Sequence, residues 1–477
     1  MSQFSFTPQV CEAGPFRGYA KLHWIRAAAE KRRDEKVGSL FHHLGVDNLR
    51  QAFRELDGSR ASGVDGVTKQ QYHVKLEDNL RALHSTIRCG GWRPRPSREV
   101  LIPKPQGGTR PLAVGCLEDK IVQTLTARIL EAVYEPLFHR HSYGFRRGKS
   151  AHQALGRLRN VINARKKKCV VVEMDIEKFF NSVDHEWLLQ KLKLKIDDEH
   201  FLRLIGRMLR GSILHEDGSL AESERGTPQG SPVSPMLANI CLHHLLDGWF
   251  DAEFAGQGEF VRYADDAVFV FTDEAVAQRF QTALQTRLAE AGLSLNIAKS
   301  AIVPFSSSAP QGVVSFLGFD LYWGKDRDGG RLLKLKTAAK RLHRSMQAFT
   351  DWVKDVRNSK PLKKLWDDAA ARLRGHFSYF GVRSNEAKLS HFHFVCIGAL
   401  FKWLNRRSQK RSFTWAQFKR KLHFNPLPLP PRGEELIDLT SEHRSERKHQ
   451  PKSRMREIRT SGSVRSLNRS IGRLRFT

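Results

Sequence analysis

Two adjacent acids, Asp265 and Asp266, stand in the segment 261–271, where an otherwise apolar stretch reads as strand, tight turn, strand, with both acids at the turn. Neighbouring carboxylates flanked by buried strands repel each other unless a cation lies between them. A third acid, Asp175, lies ninety positions earlier at the end of the run CVVVEMD, which reads as a short buried strand. If that strand and the hairpin share a sheet, three carboxylates meet at one edge. Such a set of hard oxygens suits Mg²⁺. Two ions there would lower the pKa of a primer 3′-hydroxyl and neutralise charge on a transferred phosphate, the chemistry of nucleotidyl transfer.

The elements that must position these acids alternate densely between about 36 and 320. Helical spacing resumes over 178–192, and Val276, Phe280, Leu284 and Leu288 recur every four residues on a helix that ends near Gly292. From about 330 to 424 the chain turns basic and helical, with Trp352, Trp366, Trp403 and Trp415 set among Lys and Arg. A Pro cluster at 426, 428, 430 and 431 ends that region, and the Arg/Ser-rich segment 441–477 has too few apolar residues to fold unbound.

The chain has 477 residues, a prior of about three domains. Its 40% hydrophobic and 27% charged residues exclude wholesale disorder. With 80 Lys and Arg against 50 Asp and Glu, the formal charge is +30, which points to a polyanion partner. No run of 18 apolar residues is present to span a bilayer, so the partner is expected to be nucleic acid rather than membrane. The six cysteines are scattered singly and suggest neither disulfides nor a zinc site.

Eight ordered blocks, GVDGVT (63–68), LIPKPQGGTRPLAVGCLEDKIVQ (101–123), HSYGFRRGKSAHQAL (141–155), MDIEKFFNSVDHEWL (174–188), RGTPQGSPVSPMLANI (225–240), RYADD (262–266), GLSLNIAKS (292–300) and FLGF (316–319), resemble group II intron-encoded reverse transcriptase/maturases. The resemblance implies an α+β right-hand polymerase: fingers, a palm with an antiparallel sheet, then an α-helical thumb/maturase domain. It implies an N-terminal extension over 1–35, fingers and palm over 36–325, the helical thumb/maturase domain over 326–424, and a basic nucleic-acid-binding tail over 425–477.

Within that resemblance Asp175, Asp265 and Asp266 match the catalytic metal ligands of two Mg²⁺ ions, joined by the backbone carbonyl of Ile176. Phe180 matches the residue that excludes a 2′-hydroxyl. Lys104 and Arg110, on a fingers hairpin, would reach the triphosphate of a deoxynucleoside triphosphate. Gln229 matches a contact to nucleotide and template, and Lys299 a lysine beside leaving pyrophosphate. The segment 316–319 resembles a strand that grips the primer end. Residues 372–424 resemble the maturase region, where Arg406, Arg407, Lys410 and Arg411, beside Trp403 and Trp415, would face group II intron RNA through charge and stacking.

The chain departs from the family at Asn181, where an acid is common, and no cysteine follows Cys396, so the family's Cys-bearing endonuclease is not expected. The resemblance implies splicing assistance and retrohoming, with target DNA and a primer as further partners, in the bacterial cytosol. Oligomeric state is left open. Two other roles compete: a defence- or CRISPR-associated reverse transcriptase using the same site, and an RNA-binding splicing factor without polymerase activity. Three intact acids argue against the second.

Overall fold

Apolar runs broken by turns and acids produce eleven strands in three sheets among the described residues. The computed structural model describes residues 16–103, 108–308, 310, 312–326, 328–407 and 412–439. The strands are β1 (Ser97–Pro103), β2 (Thr109–Val114), β3 (Val170–Met174), β4 (Ile213–Leu214), β5 (Leu220–Ala221), β6 (Gly258–Tyr263), β7 (Asp266–Phe271), β8 (Ala301–Pro304), β9 (Val314–Phe316), β10 (Phe319–Lys325) and β11 (Arg331–Thr337). The central sheet runs β6-β7-β3-β8 and is antiparallel throughout. A mixed sheet runs β2-β1-β4-β5, with β1 and β4 parallel, and an antiparallel one β11-β10-β9. The fold is thus mixed α and β with a helical C-terminal part.

The inner strands β3 and β7 of the central sheet are buried on both faces, which is why they read as continuous apolar runs. Successive side chains point to opposite faces. Val170, Val172, Met174, Phe269 and Phe271 enter one core with the helix Glu274–Glu290, whose Phe280 ring lies 4.4 Å from that of Phe269. Val171, Val261, Val268 and Val270 enter a second core shared with β10, β11 and the helices Ala339–Val356, Leu362–Phe380 and Glu386–Leu404. None of the helices, among the described residues, is long and apolar enough to cross a membrane.

Four local expectations change. The helix over 178–192 splits into Phe179–Ser182 and His185–Lys193. The carbonyls of Phe180 and Val183 accept from the amides of Thr227 (2.6 Å) and Gly226 (2.7 Å) instead of a continued helix, and Asp184 caps the second piece through Trp187 N at 2.8 Å. Helix begins at Ala339 rather than near 330, because Arg331–Thr337 pairs with β10; the expected boundary at 326 falls inside that hairpin. Residues 316–319 are not one strand but the two-residue turn Leu317-Gly318, both at positive φ, between β9 and β10. Finally, Asp266 is the first residue of β7, paired with Tyr263, so the tight turn is Ala264-Asp265. Residues 1–15, Cys11 among them, and the tail from 440 lie outside the described residues, as do Lys104, Lys410 and Arg411.

Candidate active site

Sheet register brings the three acids together. Met174 on β3 is opposite Ala267 on β7, so the next positions outward are Asp175 and Asp266, with Asp265 in the adjoining turn. Asp175 Oδ2 accepts from Asn296 Nδ2 at 2.9 Å and from Lys299 Nζ at 3.1 Å. Its backbone is pinned as well: the Asp175 amide donates to Ser300 Oγ at 3.3 Å and its carbonyl accepts from Asn296 N at 2.8 Å. The loop 294–300 after the long helix therefore orients Asp175. The bridge between Ile176 and Leu295 runs its hydrogen bonds through the flanking Asp175 and Glu177, leaving the Ile176 carbonyl outside the ladder.

The electrostatics ask for a cation. Burial, and then the charge of Asp175, raises the pKa of Asp265, while Arg110 and Arg262 pull it down. Burial followed by Asp265 and Asp175 pushes Asp266 up to about 6. Asp266 keeps solvent contact, so water offsets part of this effect. Among the described residues no three His, Cys, Asp or Glu side chains form a ready-made metal cage. The donors nevertheless fit a hard divalent ion: all are carboxylate oxygens, two of them driven toward protonation by burial and by the neighbouring carboxylates.

A stability prediction follows from the sign of that shift. An acid with a raised folded pKa holds more protons when folded, so stability is lost as pH rises from the usual carboxylate value through about 6. Asp266→Asn removes this loss. The metal-free variant should melt about 1–3 °C above wild type at pH 8 and show no gain at pH 4. Mg²⁺ should raise the melting temperature of wild type more than that of the variant at pH 8.

Beneath the turn lies a buried network that the sequence reading assigned no role. Arg262, wholly buried on β6, donates from Nε and Nη2 to Asp247 Oδ1 (2.7 Å) and Oδ2 (2.6 Å), and from Nη1 to Asn239 Oδ1 and the Ala264 carbonyl, both 3.0 Å. Asn239 Nδ2 in turn donates to the Gly144 carbonyl at 2.7 Å. Ala264 takes a positive φ of 58°, an unfavoured conformation for a residue with a Cβ, and Arg262 grips its carbonyl. Gly144 packs directly on this turn: a Cβ there would meet Ala264 N at 2.1 Å. The available signal was one arginine inside an apolar strand.

The remaining expected site residues distribute unevenly. Arg110, on β2, acts electrostatically on Asp265. Phe180 is half-buried in the short helix after Asp175 and, with Asn181 and Gln229, lines a cleft of about 260 Å³. Gln229 ties two parts of the cleft together. Its carbonyl accepts from Ala113 N at 2.7 Å and its Nε2 donates to Asn181 Oδ1 at 3.0 Å. Asn181 thus has an orienting contact, one that an acid at this position would also make. Lys299 reaches the site directly, through Asp175.

The C-terminal basic residues lie apart from the acids in sequence and are engaged with protein groups. The Arg406 guanidinium sits 5.3 Å from the Trp403 ring centre, alongside Arg357 at 5.2 Å and Lys402 at 5.5 Å. Arg407 donates to the Lys360 carbonyl at 3.1 Å. Trp415 packs on Phe401 and Phe418. Trp403 and Trp415 are both half-buried and make packing and cation–π contacts within the protein.

A protein-family model described as "Reverse transcriptase (RNA-dependent DNA polymerase)" matches residues 102–321. The span contains Asp175, Asp265, Asp266, Arg110, Phe180, Gln229 and Lys299. The chain is 31% identical over 228 residues to the "Group II intron-encoded protein LtrA" of Lactococcus lactis subsp. cremoris, covering 47% of this chain and 37% of that protein. It is 33% identical over 191 residues to "Protein YkfC" of Escherichia coli, covering 39% and 50%. It is 32% identical over 206 residues to the "Putative COX1/OXI3 intron 1 protein" of Saccharomyces cerevisiae, covering 43% and 24%. The matched stretch therefore spans half or less of each of these relatives.

Proposed function

We propose, from a chain that belongs with the reverse transcriptases through residues 102–321, that the protein is an RNA-directed DNA polymerase that binds a group II intron RNA and assists its splicing and mobility. The observation that carries the polymerase reading is the register that sets Asp175 and Asp266 opposite each other at one sheet end with Asp265 in the turn between strands. The carboxylates of Asp175, Asp265 and Asp266, with the Ile176 carbonyl, would hold two Mg²⁺ ions. When bound, the ions supply charge neutralisation at the transferred phosphate and a lowered pKa for the primer hydroxyl.

The chain's own residues do the rest. Arg110, with Lys104, binds the triphosphate by charge-assisted hydrogen bonds. Phe180 closes the sugar side of the cleft against a 2′-hydroxyl, which selects deoxynucleotides. Gln229, fixed by Ala113 and Asn181, orients the pairing nucleotide. Lys299 carries an ammonium proton beside Asp175, close to where pyrophosphate departs. The direct test is primer extension on an RNA template with Mg²⁺ and deoxynucleotides. Extension is expected, and its absence from well-folded protein would sink the reading.

Intron binding is supported by the net charge of +30, by the cations around Trp403 and by intron-encoded relatives. Replacing Arg406 and Arg407 with Gln should weaken binding of a group II intron RNA and reduce the slope of log affinity against log salt by roughly 1–2. An unchanged slope in filter-binding titrations would remove this face from the RNA surface.

A further inference from the structure

Phe145 is an aromatic residue in a conformation that aromatic residues avoid. Its φ is 58°, and it is 48% exposed. It belongs to neither hydrophobic core. Folding alone therefore gains little from this ring: an L-residue with a Cβ is strained there, and burial does not compensate.

The loop that presents Phe145 is fixed from both sides. On one side Gly144 lies against the Ala264-Asp265 turn, and its carbonyl is held by Asn239. On the other, Arg146 is 5% exposed, pairs with Glu135 at 2.9 Å and donates to the His139 carbonyl at 2.8 Å. Between these anchors the Phe145 ring stands edge-to-face with Phe180, centroids 6.3 Å apart at 77°. Phe180 lines the cleft, and the solvent-open ring of Phe145 stands against it, one residue from the glycine that packs on the acid turn.

We infer that Phe145 is a substrate-contacting residue whose exposed ring packs, together with Phe180, on the sugar and base of the incoming deoxynucleoside triphosphate. This assignment rests on the polymerase reading above. A flat apolar ring contacts any base or sugar without reading its hydrogen-bonding edge, so the contact serves affinity for nucleotides as a class.

The test compares wild type with Phe145→Gly, Phe145→Leu and Phe145→Tyr in primer extension at varied deoxynucleotide concentration, with thermal melting of each protein. Glycine adopts positive φ freely, so Phe145→Gly should melt at or above the wild-type temperature while its nucleotide KM rises about tenfold with kcat within about twofold. Phe145→Leu should raise KM in the same direction, and Phe145→Tyr should keep it. Unchanged KM in the Gly and Leu variants would overturn the assignment, as would a lowered melting temperature with KM unaltered, which would make the ring structural. If wild type extends no primer, the polymerase reading fails first and this assignment falls with it. If wild type extends and the variants match it, the assignment alone is wrong.

Discussion

Asp265→Ala is expected to abolish DNA synthesis on an RNA template, by about a thousandfold or more, while leaving RNA affinity and the fold intact. The size follows from what is lost: a carboxylate that would hold the metal charge against the transferred phosphate, an effect of several kcal/mol at ~1.4 kcal/mol per tenfold. The fold should survive because burial and the Asp175 charge already disfavour the ionised form of Asp265. Removing it relieves repulsion, so the variant should melt no lower than wild type. The measurements are primer extension, intron-RNA binding and thermal melting on the same preparations. Loss of RNA binding or splicing assistance in parallel with synthesis, at unchanged melting temperature, would contradict separate polymerase and RNA-binding surfaces. Residual synthesis above about a tenth of wild type would show that Asp265 is not a principal metal ligand.

How much of this site was readable in the sequence depended on whether each feature leaves a local pattern. Strands β3, β6 and β7 are short β-branched and aromatic runs, and the acids sit where those runs stop, so sheet, hairpin and acids could all be placed. Strand β11 also carries a period of two, with Leu333, Leu335 and Thr337 buried, but its Arg and Lys residues blended with the basic region that follows. The helix break at Val183 was hidden because the competing partners of its carbonyls lie more than forty residues away, on the 226–227 loop. Arg262 is the clearest case. Its partners Asp247 and Asn239 belong to other elements, and nothing periodic links an arginine in one strand to an acid fifteen residues before it.

That arginine carries the second large effect. Arg262 and Asp247 are both fully buried, so removing one partner strands the other as an uncompensated charge. Arg262→Met should destabilise the protein by about 3–5 kcal/mol and release the Ala264 carbonyl and the Asn239 side chain. Such a loss by itself would say nothing about the acid turn, so the informative variants are two others. Arg262→Met combined with Asp247→Leu removes both charges and should recover much of the lost stability, because a buried pair is often replaceable by apolar groups of similar volume. Arg262→Lys keeps the charge but has no planar fork to span Asp247, Asn239 and Ala264 at once. If Arg262 serves only to stabilise the fold, the double variant should regain synthesis along with its melting temperature. With the carbonyl of a positive-φ residue no longer held, we expect the opposite: a melting temperature near wild type, with kcat for primer extension still about tenfold or more down and nucleotide KM little changed. Such a split would mean that the buried guanidinium orients Asp265 and Asp266 through the backbone of the residue before them. Full recovery of kcat in the double variant would show instead that the turn holds its shape without it.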